Sequence, residues 1–307
     1  MTITLALPDQ ETSDRLRGRL RGRLERAVDV VIWRSGDAPL DHPIDLLVLP
    51  YAVRFEALSK LQGEVRYVQS QALGYDGVTD HLPAGVSFCN AVGVHEAPTA
   101  ELAITLALAS QRGWPQVGRN QVTETWDRPT YPGLIGARVL LIGVGGIGRE
   151  VERRLAGYDV SLTRVARTAR DDIHAISELR ALLPDADIVI LAIPLSDETT
   201  GLVDSAFLDL LPHGALLVNV SRGRIVDTDA LVEHVRTGAV RSALDVVDPE
   251  PLPVGHPLWS LPGSLISPHL GGSVQSMPSR IDPLIVRQVD RLIAGEKPDH
   301  IVIEGTK

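Results

Sequence analysis

The stretch Val139-Leu140-Leu141-Ile142-Gly143-Val144-Gly145-Gly146-Ile147-Gly148-Arg149-Glu150 decides the fold. An uncharged apolar run passes directly into three spaced glycines and then into an amphipathic segment reaching Leu155, which predicts a strand, a tight turn and the start of a helix. In a dinucleotide site each glycine has a separate task. Gly143 permits the turn, Gly145 lets a pyrophosphate approach the backbone, and Gly148 lets helix and strand pack closely. The anion then rests on N–H groups at the helix N-terminus, here those of Gly145, Gly146, Ile147 and Gly148. An ordinary strand-to-helix turn could produce the same string by chance. Its context argues otherwise, because a further strand-like run, Val160 to Val165, completes a βαβ unit.

Working outward, apolar runs beginning near Ile188, Leu216 and Ala243 alternate with helical segments, the pattern of a doubly wound sheet. The helix after Val226 carries its own punctuation: Asp227 as a cap, Asp229 in the first turn and Gly238 just past the end. A short strand is expected at Leu265 to Ser267 and a last helix at Ile281 to Ala294. Upstream, five short apolar runs (Ile3 to Leu7, Val28 to Trp33, Leu46 to Leu49, Val65 to Val68, Val86 to Cys89) predict a second, smaller parallel sheet covered on both faces. Pro98 to Arg112 predicts a helix apolar nearly all round and therefore buried, ended by Gly113-Trp114-Pro115. Gln116 to Pro132 shows little periodicity and reads as an irregular connection.

At 307 residues the chain exceeds the usual size of one core, so two domains are expected. Its 44% hydrophobic and 22% charged residues are those of an ordinary globular protein. A net charge of −9 opposes a nucleic-acid role, which needs a concentrated positive surface. Cys89 is the only cysteine, so neither an intrachain disulfide nor a cysteine-based metal cluster can form, and a reducing compartment fits. No run approaches the length of a membrane span, and Thr2 to Leu7 is too short for a signal-peptide core; a cytoplasmic protein is expected, with no membrane partner. The tetrad Arg-Leu-Arg-Gly at Arg15 and Arg19, echoed at Arg23, places Leu16, Leu20 and Leu24 four apart. A leucine stripe facing the sheet with solvated arginines outside explains the spacing better than a basic docking helix does.

Three polar stretches follow strand ends, where open α/β sheets place their ligands: Asn219 to Arg224, Ala243 to Pro251 and Ser267 to Gly272. Arg222 sits in a short turn after a buried strand, able to hold a carboxylate through a bidentate pair. His269 stands between Pro268 and Gly271-Gly272, while Glu250 lies in a proline-flanked turn after a neighbouring strand. A Glu250–His269 contact would orient the ring and favour its protonated form, as a general acid requires.

Taken in order, the glycine motif at Gly143, Asn219-Val-Ser-Arg-Gly223, Ala243-Leu-Asp-Val246, Pro249-Glu-Pro251 and Ser267-Pro-His-Leu-Gly-Gly272 resemble the signatures of the D-isomer-specific 2-hydroxyacid dehydrogenases, over essentially the whole chain. The resemblance implies two doubly wound α/β domains. A flavodoxin-like substrate domain would be made from residues 1–97 and 273–307, with a Rossmann dinucleotide-binding domain, 98–272, inserted between them. An active site at the cleft between them, closing over substrate, and a homodimer formed through the inserted domain belong to the same expectation.

The resemblance also implies hydride transfer between a nicotinamide and C2 of a small 2-oxo or 2-hydroxy acid, as in glyoxylate or hydroxypyruvate reduction. Arg222 would bind the substrate, His269 exchange the proton and Glu250 support the histidine. Asp245 would meet the nicotinamide carboxamide, with Thr99 and Val220 also at the cofactor. Gln71-Ala-Leu-Gly-Tyr-Asp76 is similar to the family's substrate loop, whose backbone N–H groups, here those of Leu73 and Gly74, hold the carboxylate.

One departure bears on the cofactor. NAD-preferring members carry Asp at the end of the second strand of the βαβ unit; here Ala166 stands there, followed by Arg167 and Thr168, with Arg164 and Arg170 nearby. NADP is therefore the expected cofactor, NAD being an alternative. Two other readings stay open at this stage: a dinucleotide-sensing, corepressor-like interaction protein on the same fold, and formate or phosphite oxidation. The last is disfavoured because formate dehydrogenases carry Gln where Glu250 stands.

Overall fold

The computed structural model describes residues 2–22, 27–34, 43–51, 53, 55–61 and 65–305. The chain divides into two compact units, one made of residues 1–95 and 274–307 and the other of 96–273.

In chain order the first unit contains β1 (Ile3–Leu7), α1 (Gln10–Arg17), β2 (Val28–Ile32), β3 (Ile44–Val48), β4 (Val65–Gln69) and β5 (Ser87–Cys89). The second contains α2 (Glu96–Gln111), α3 (Trp114–Val122), β6 (Arg138–Ile142), α4 (Gly146–Leu155), β7 (Ser161–Ala166), β8 (Ile173–Ala175), α5 (Leu179–Leu182), β9 (Ile188–Leu191), α6 (Ser205–Leu208), β10 (Ala215–Asn219), α7 (Thr228–Arg236), β11 (Val240–Leu244) and β12 (Ser264–Ile266). The chain then returns to the first unit as α8 (Met277–Ile293) and β13 (Ile301–Ile303).

The second unit is a seven-stranded sheet in the order β12-β11-β10-β9-β6-β7-β8, parallel throughout. Strand order reverses between β6 and β9, so the crevice that such sheets offer to a dinucleotide lies where the glycine stretch leaves β6. β9 and β10 are buried along their whole lengths, and each fully buried Ile, Leu or Val contributes about 1.5–3 kcal/mol of transfer free energy. α7 is capped as expected: the Asp227 carboxylate accepts from the Ala230 N–H at 3.0 Å.

In the first unit the order is β13-β5-β4-β3-β1-β2. Its five N-terminal strands are parallel in the flavodoxin-like arrangement, and β13 adds an antiparallel edge beside β5. That edge departs from the all-parallel expectation: three residues are too few to show a period, and pairing with Cys89 and Phe88 defines them.

Two further expectations are corrected. The segment read as an irregular connection contains α3, started after Gly113 in the left-handed conformation (φ 65°) with Pro115 in its first turn. None of its residues is buried; its few apolar residues, Trp114, Val117 and Val122, stay exposed among polar ones and make too weak a period to reveal it. The arginines of the tetrad are not all simply solvated. Leu16 and Leu20 are buried against the sheet, but Arg15 Nε donates to both oxygens of the buried Asp282 carboxylate on α8, at 2.9 and 3.1 Å, and Arg19 lies 3.5 Å from it. Arg23 and Leu24 lie outside the described residues. Among the described residues no helix is long and apolar enough to cross a membrane.

Candidate active site

Gly143 has φ 106°, and a Cβ there would collide with the Ala192 carbonyl beyond β9. A Cβ on Gly148 would strike the Gly143 carbonyl oxygen, so the third glycine is needed for the close approach of α4 to β6. Gly145 differs: a Cβ there would meet nothing within 4 Å, and no side chain caps the helix it begins. Open space in front of uncapped N–H groups is the cradle a pyrophosphate fills. The first-turn N–H groups of Gly146, Ile147 and Gly148 complete it. These residues fit a dinucleotide.

Ala166 is the last residue of β7, and Arg167 and Thr168 beyond it are exposed. Arg167 makes no ion pair or side-chain hydrogen bond among the described residues. Arg164, read as a possible helper at a phosphate, is placed differently. Its guanidinium is taken up by Glu152 of α4 at 2.6 Å and by Asp172, because its strand position turns it toward those carboxylates.

The polar stretches at the ends of β10, β11 and β12 assemble into one constellation. Asn219 shapes the first turn from both sides. Its Nδ2 donates to the Arg222 carbonyl at 2.9 Å, and its Oδ1 accepts from the Ser221 N–H at 3.0 Å. Val220 is buried in that turn. Arg222 emerges partly exposed, with Nη1 donating to the Ser221 carbonyl at 2.7 Å. Gly223 packs so closely on the Val247 carbonyl that a side chain has no room, which holds the turn against the chain leading to Glu250.

Asp245 is 3% exposed and organises the histidine loop. Its Oδ1 accepts from Ser267 Oγ at 2.6 Å and from the Leu270 N–H at 2.7 Å, while Oδ2 accepts from the Gly271 N–H at 2.9 Å. Thr99, buried on α2, donates its hydroxyl to the Gly271 carbonyl at 3.3 Å. Between these anchors His269 takes a left-handed conformation, φ 55°, uncommon for a residue with a side chain. Its Nδ1 lies 2.6 Å from Glu250 Oε1. The ring is 48% exposed, and Nε2 has no hydrogen-bond partner among the described residues.

The hydrogen bond that His269 donates to Glu250 raises the His269 pKa above its ordinary value. Burial opposes this rise, the charges of Glu250 and Asp245 add to it, and the charge of Arg222 subtracts from it. Burial pulls the Glu250 carboxyl upward, but the hydrogen bond and charge of His269, with the Val247 N–H and Arg222, outweigh it and hold Glu250 below the usual carboxylate range. The pair therefore favours an imidazolium with its Nε2 proton directed outward.

In the first unit the loop after β4 has its own order. Ser70 Oγ accepts from the Ala72 N–H at 2.9 Å, the Ala72 carbonyl accepts from the Ala91 N–H at 3.0 Å, and the Leu73 carbonyl accepts from Asn90 Nδ2 at 2.9 Å. The N–H groups of Leu73 and Gly74 have no acceptor among the described residues. Two adjacent N–H groups without an acceptor are donors open to an anion.

The sequence singles out His269, Glu250 and Arg222 and includes Asn219 and Ser267 in the stretches around them, but assigns those two no part in shaping the turns, and it passes over Asn90, which holds the Gln71 to Gly74 loop. Asn219 alone gave a signal, as an Asn able to bond its own backbone two residues on.

A parallel sheet with an uncapped glycine cradle at its switch point and a hydrogen-bonded His–Glu pair at neighbouring strand ends defines an NAD(P)-dependent dehydrogenase. The family model described as D-isomer specific 2-hydroxyacid dehydrogenase, NAD binding domain, matches residues 104–271. Similarity extends beyond that domain: a glyoxylate reductase of Korarchaeum cryptofilum is 30% identical over 288 residues, covering 89% of this chain and 85% of that protein. A glyoxylate reductase of Thermofilum pendens is 28% identical over 304 residues, 91% of this chain and 89% of the other. Among solved structures, a D-isomer specific 2-hydroxyacid dehydrogenase from Xanthobacter autotrophicus Py2, in complex with NADPH and MES, superposes with a TM-score of 0.81 at 26% identity, covering 98% of each chain. The chain belongs to the D-isomer-specific 2-hydroxyacid dehydrogenase family.

Proposed function

We propose that this protein reduces a short 2-oxo acid, of the glyoxylate or hydroxypyruvate class, to the D-2-hydroxy acid with NADPH in preference to NADH. The observation that carries the reading is the 2.6 Å His269–Glu250 pair, electrostatically coupled to Arg222. A reduced nicotinamide, when bound, supplies the hydride that C2 of the substrate receives. His269 Nε2 gives its proton to the carbonyl oxygen as C2 is reduced, and Glu250 stabilises the imidazolium before transfer and orients the ring throughout. The ring is left neutral and regains a proton from solvent. Arg222 holds the carboxylate and polarises the carbonyl. The N–H groups of Leu73 and Gly74 receive the carboxylate. Gly143, Gly145, Gly146, Ile147 and Gly148 hold the pyrophosphate, and Val220, Asp245 and Thr99 lie along the rest of the cofactor.

The preference for NADPH rests on Ala166, which leaves no carboxylate to repel a 2′-phosphate, and on Arg167 and Thr168 beside it. The NADPH bound to the Xanthobacter relative supports it. A homodimer through the second unit is part of the same proposal, supported by the exposed Trp114, Val122, Trp126 and Ile135. Light scattering giving the mass of one chain would remove that part.

The test is oxidation of NADPH, then NADH, against a panel from glyoxylate and hydroxypyruvate to branched and aromatic 2-oxo acids, with chiral analysis of the product. Turnover of the short acids to D products is expected. No turnover with any of them would overturn the assigned substrate class and favour a dinucleotide-sensing role.

A further inference from the structure

The loop Gln71 to Gly74 consists of three successive peptide units, and each is gripped at its carbonyl. The Leu73 carbonyl is held by Asn90 Nδ2 and the Ala72 carbonyl by the Ala91 N–H. The first of the three, that of Gln71, accepts a hydrogen bond from His95 Nε2. In a trans peptide the C=O and N–H point in opposite directions, so holding a carbonyl from behind aims the N–H of the same unit forward. The N–H of the first unit, on Ala72, is used within the loop by Ser70 Oγ. Those of the next two units, on Leu73 and Gly74, point away from the held carbonyls and have no acceptor among the described residues.

His95 is therefore the base of the stack. It is 5% exposed, and its ring lies against Tyr51 with centroids 5.4 Å apart and planes 17° from parallel. The stack limits rotation of the imidazole, while Gln71, whose carbonyl it holds, is fixed at the other end by Nε2 donating to the Leu49 carbonyl at 2.8 Å. Nothing in the glycine fold or the hydride chemistry requires a histidine at this place. Burying one there is justified by a donor of fixed direction, which an aliphatic side chain cannot supply.

We propose that His95 is a positioning residue for substrate binding: by gripping the Gln71 carbonyl it fixes the first peptide plane of the loop, the base from which the next two planes, held by Ala91 and Asn90, present the Leu73 and Gly74 N–H groups to the substrate carboxylate. The proposal rests on the reading of those two N–H groups as the carboxylate site.

The test uses the full chain and the 2-oxo acid analogue oxamate as probe, with amide resonances of Leu73 and Gly74 followed in ¹⁵N-labelled protein carrying NADPH. His95→Phe keeps an aromatic ring against Tyr51 but removes the donor; His95→Gln restores an N–H donor without the ring. In wild type both amides should shift on titration with oxamate. In His95→Phe the dissociation constant for oxamate and KM for the 2-oxo acid should rise about 3- to 10-fold with kcat little changed, the scale of one misdirected hydrogen bond. His95→Gln should recover most of the loss. Binding of NADPH, measured by fluorescence, should be the same in all three. Equal oxamate affinity in wild type and His95→Phe would overturn the positioning role while leaving the carboxylate site intact. Wild-type amides that do not respond to oxamate would instead remove the carboxylate site, and this inference with it. Should His95→Phe fail to fold, His95→Met replaces it: a KM rise in His95→Met with His95→Gln matching wild type supports the positioning role, and equal KM in all three overturns it.

Discussion

His269 Nδ1 stands 2.6 Å from Glu250 Oε1, and the bond raises the histidine pKa while the partner carboxylate is held low. In the proposed reaction reduction uses the protonated ring, so a raised pKa keeps the enzyme competent to higher pH. Glu250→Gln removes the charge and weakens the bond, the histidine pKa falls, and the alkaline limb of kcat/KM should move to lower pH. Oxidation of the hydroxy acid uses the neutral ring, so its acid limb should move to lower pH as well. An alkaline limb unmoved in Glu250→Gln would show that the limb does not report this pair. His269→Ala should lower kcat by about a hundredfold or more, the scale of losing a general acid.

The three glycines of the cradle should separate under substitution to alanine. Gly145 has an ordinary φ of −73° and open space before it, so Gly145→Ala should fold within about 0.5 kcal/mol of wild type yet bind dinucleotide more weakly, since the methyl group occupies the approach of the pyrophosphate. Gly148→Ala drives a Cβ into the Gly143 carbonyl and should cost about 2–4 kcal/mol of stability as well. Thermal melts alongside cofactor titrations distinguish the two. An equal loss of stability in both variants would contradict the assigned division of labour.

Cofactor choice should turn on two positions. Charge-assisted bonds from Arg167 to a 2′-phosphate are worth about 2–4 kcal/mol in total, a preference for NADPH of roughly tens to hundreds fold that weakens at high salt. The double variant Ala166→Asp, Arg167→Ala supplies a carboxylate for the ribose hydroxyls and removes the phosphate partner, and it should prefer NADH. Values of kcat/KM for both cofactors in both proteins test this. A wild type that favours NADH would refute the reading of the β7 end.

Asp245 accepts three hydrogen bonds in a buried site, two of them from the N–H groups that follow His269. Asp245→Asn replaces one acceptor oxygen by a donor facing an N–H. It should cost about 1–3 kcal/mol of stability and reduce kcat by loosening the loop. Because the Asp245 charge also raises the His269 pKa, the alkaline limb should move to lower pH in this variant too. Unchanged melting and an unchanged pH profile together would leave Asp245 without the organising role.

Buried ion pairing on the first unit gives a stability test unrelated to chemistry. Asp282 is nearly inaccessible and takes two bonds from Arg15. Arg15→Ala leaves the carboxylate with the more distant Arg19, and should destabilise by about 1–3 kcal/mol in denaturant unfolding. Loss of NADPH affinity at unchanged stability would contradict this purely structural assignment.

The chain's own residues were enough to define the doubly wound pattern of the second unit, though not its short strand β8 or the helix α3. Strand periods, the Gly143 to Gly148 spacing and the Asp227 cap are local properties, and β6, α4 and α7 formed where local chemistry placed them. Resemblance in order and context singled out Arg222, Glu250 and His269. What depended on tertiary structure was direction and partnership. Arg164 and Arg167 are equivalent as letters, yet one is consumed by Glu152 and Asp172 and the other is left exposed, because strand position and the nearby α4 decide which carboxylates each can reach. α3 escaped notice since its three apolar residues, Trp114, Val117 and Val122, are exposed and set among polar ones, and β13 because three residues define no pattern until β5 pairs with them. His95 carried no signal: whether a histidine is a solvated side chain or a buried donor to a loop carbonyl is settled only by what the fold brings within hydrogen-bond reach, here Gln71, 24 residues earlier in the chain.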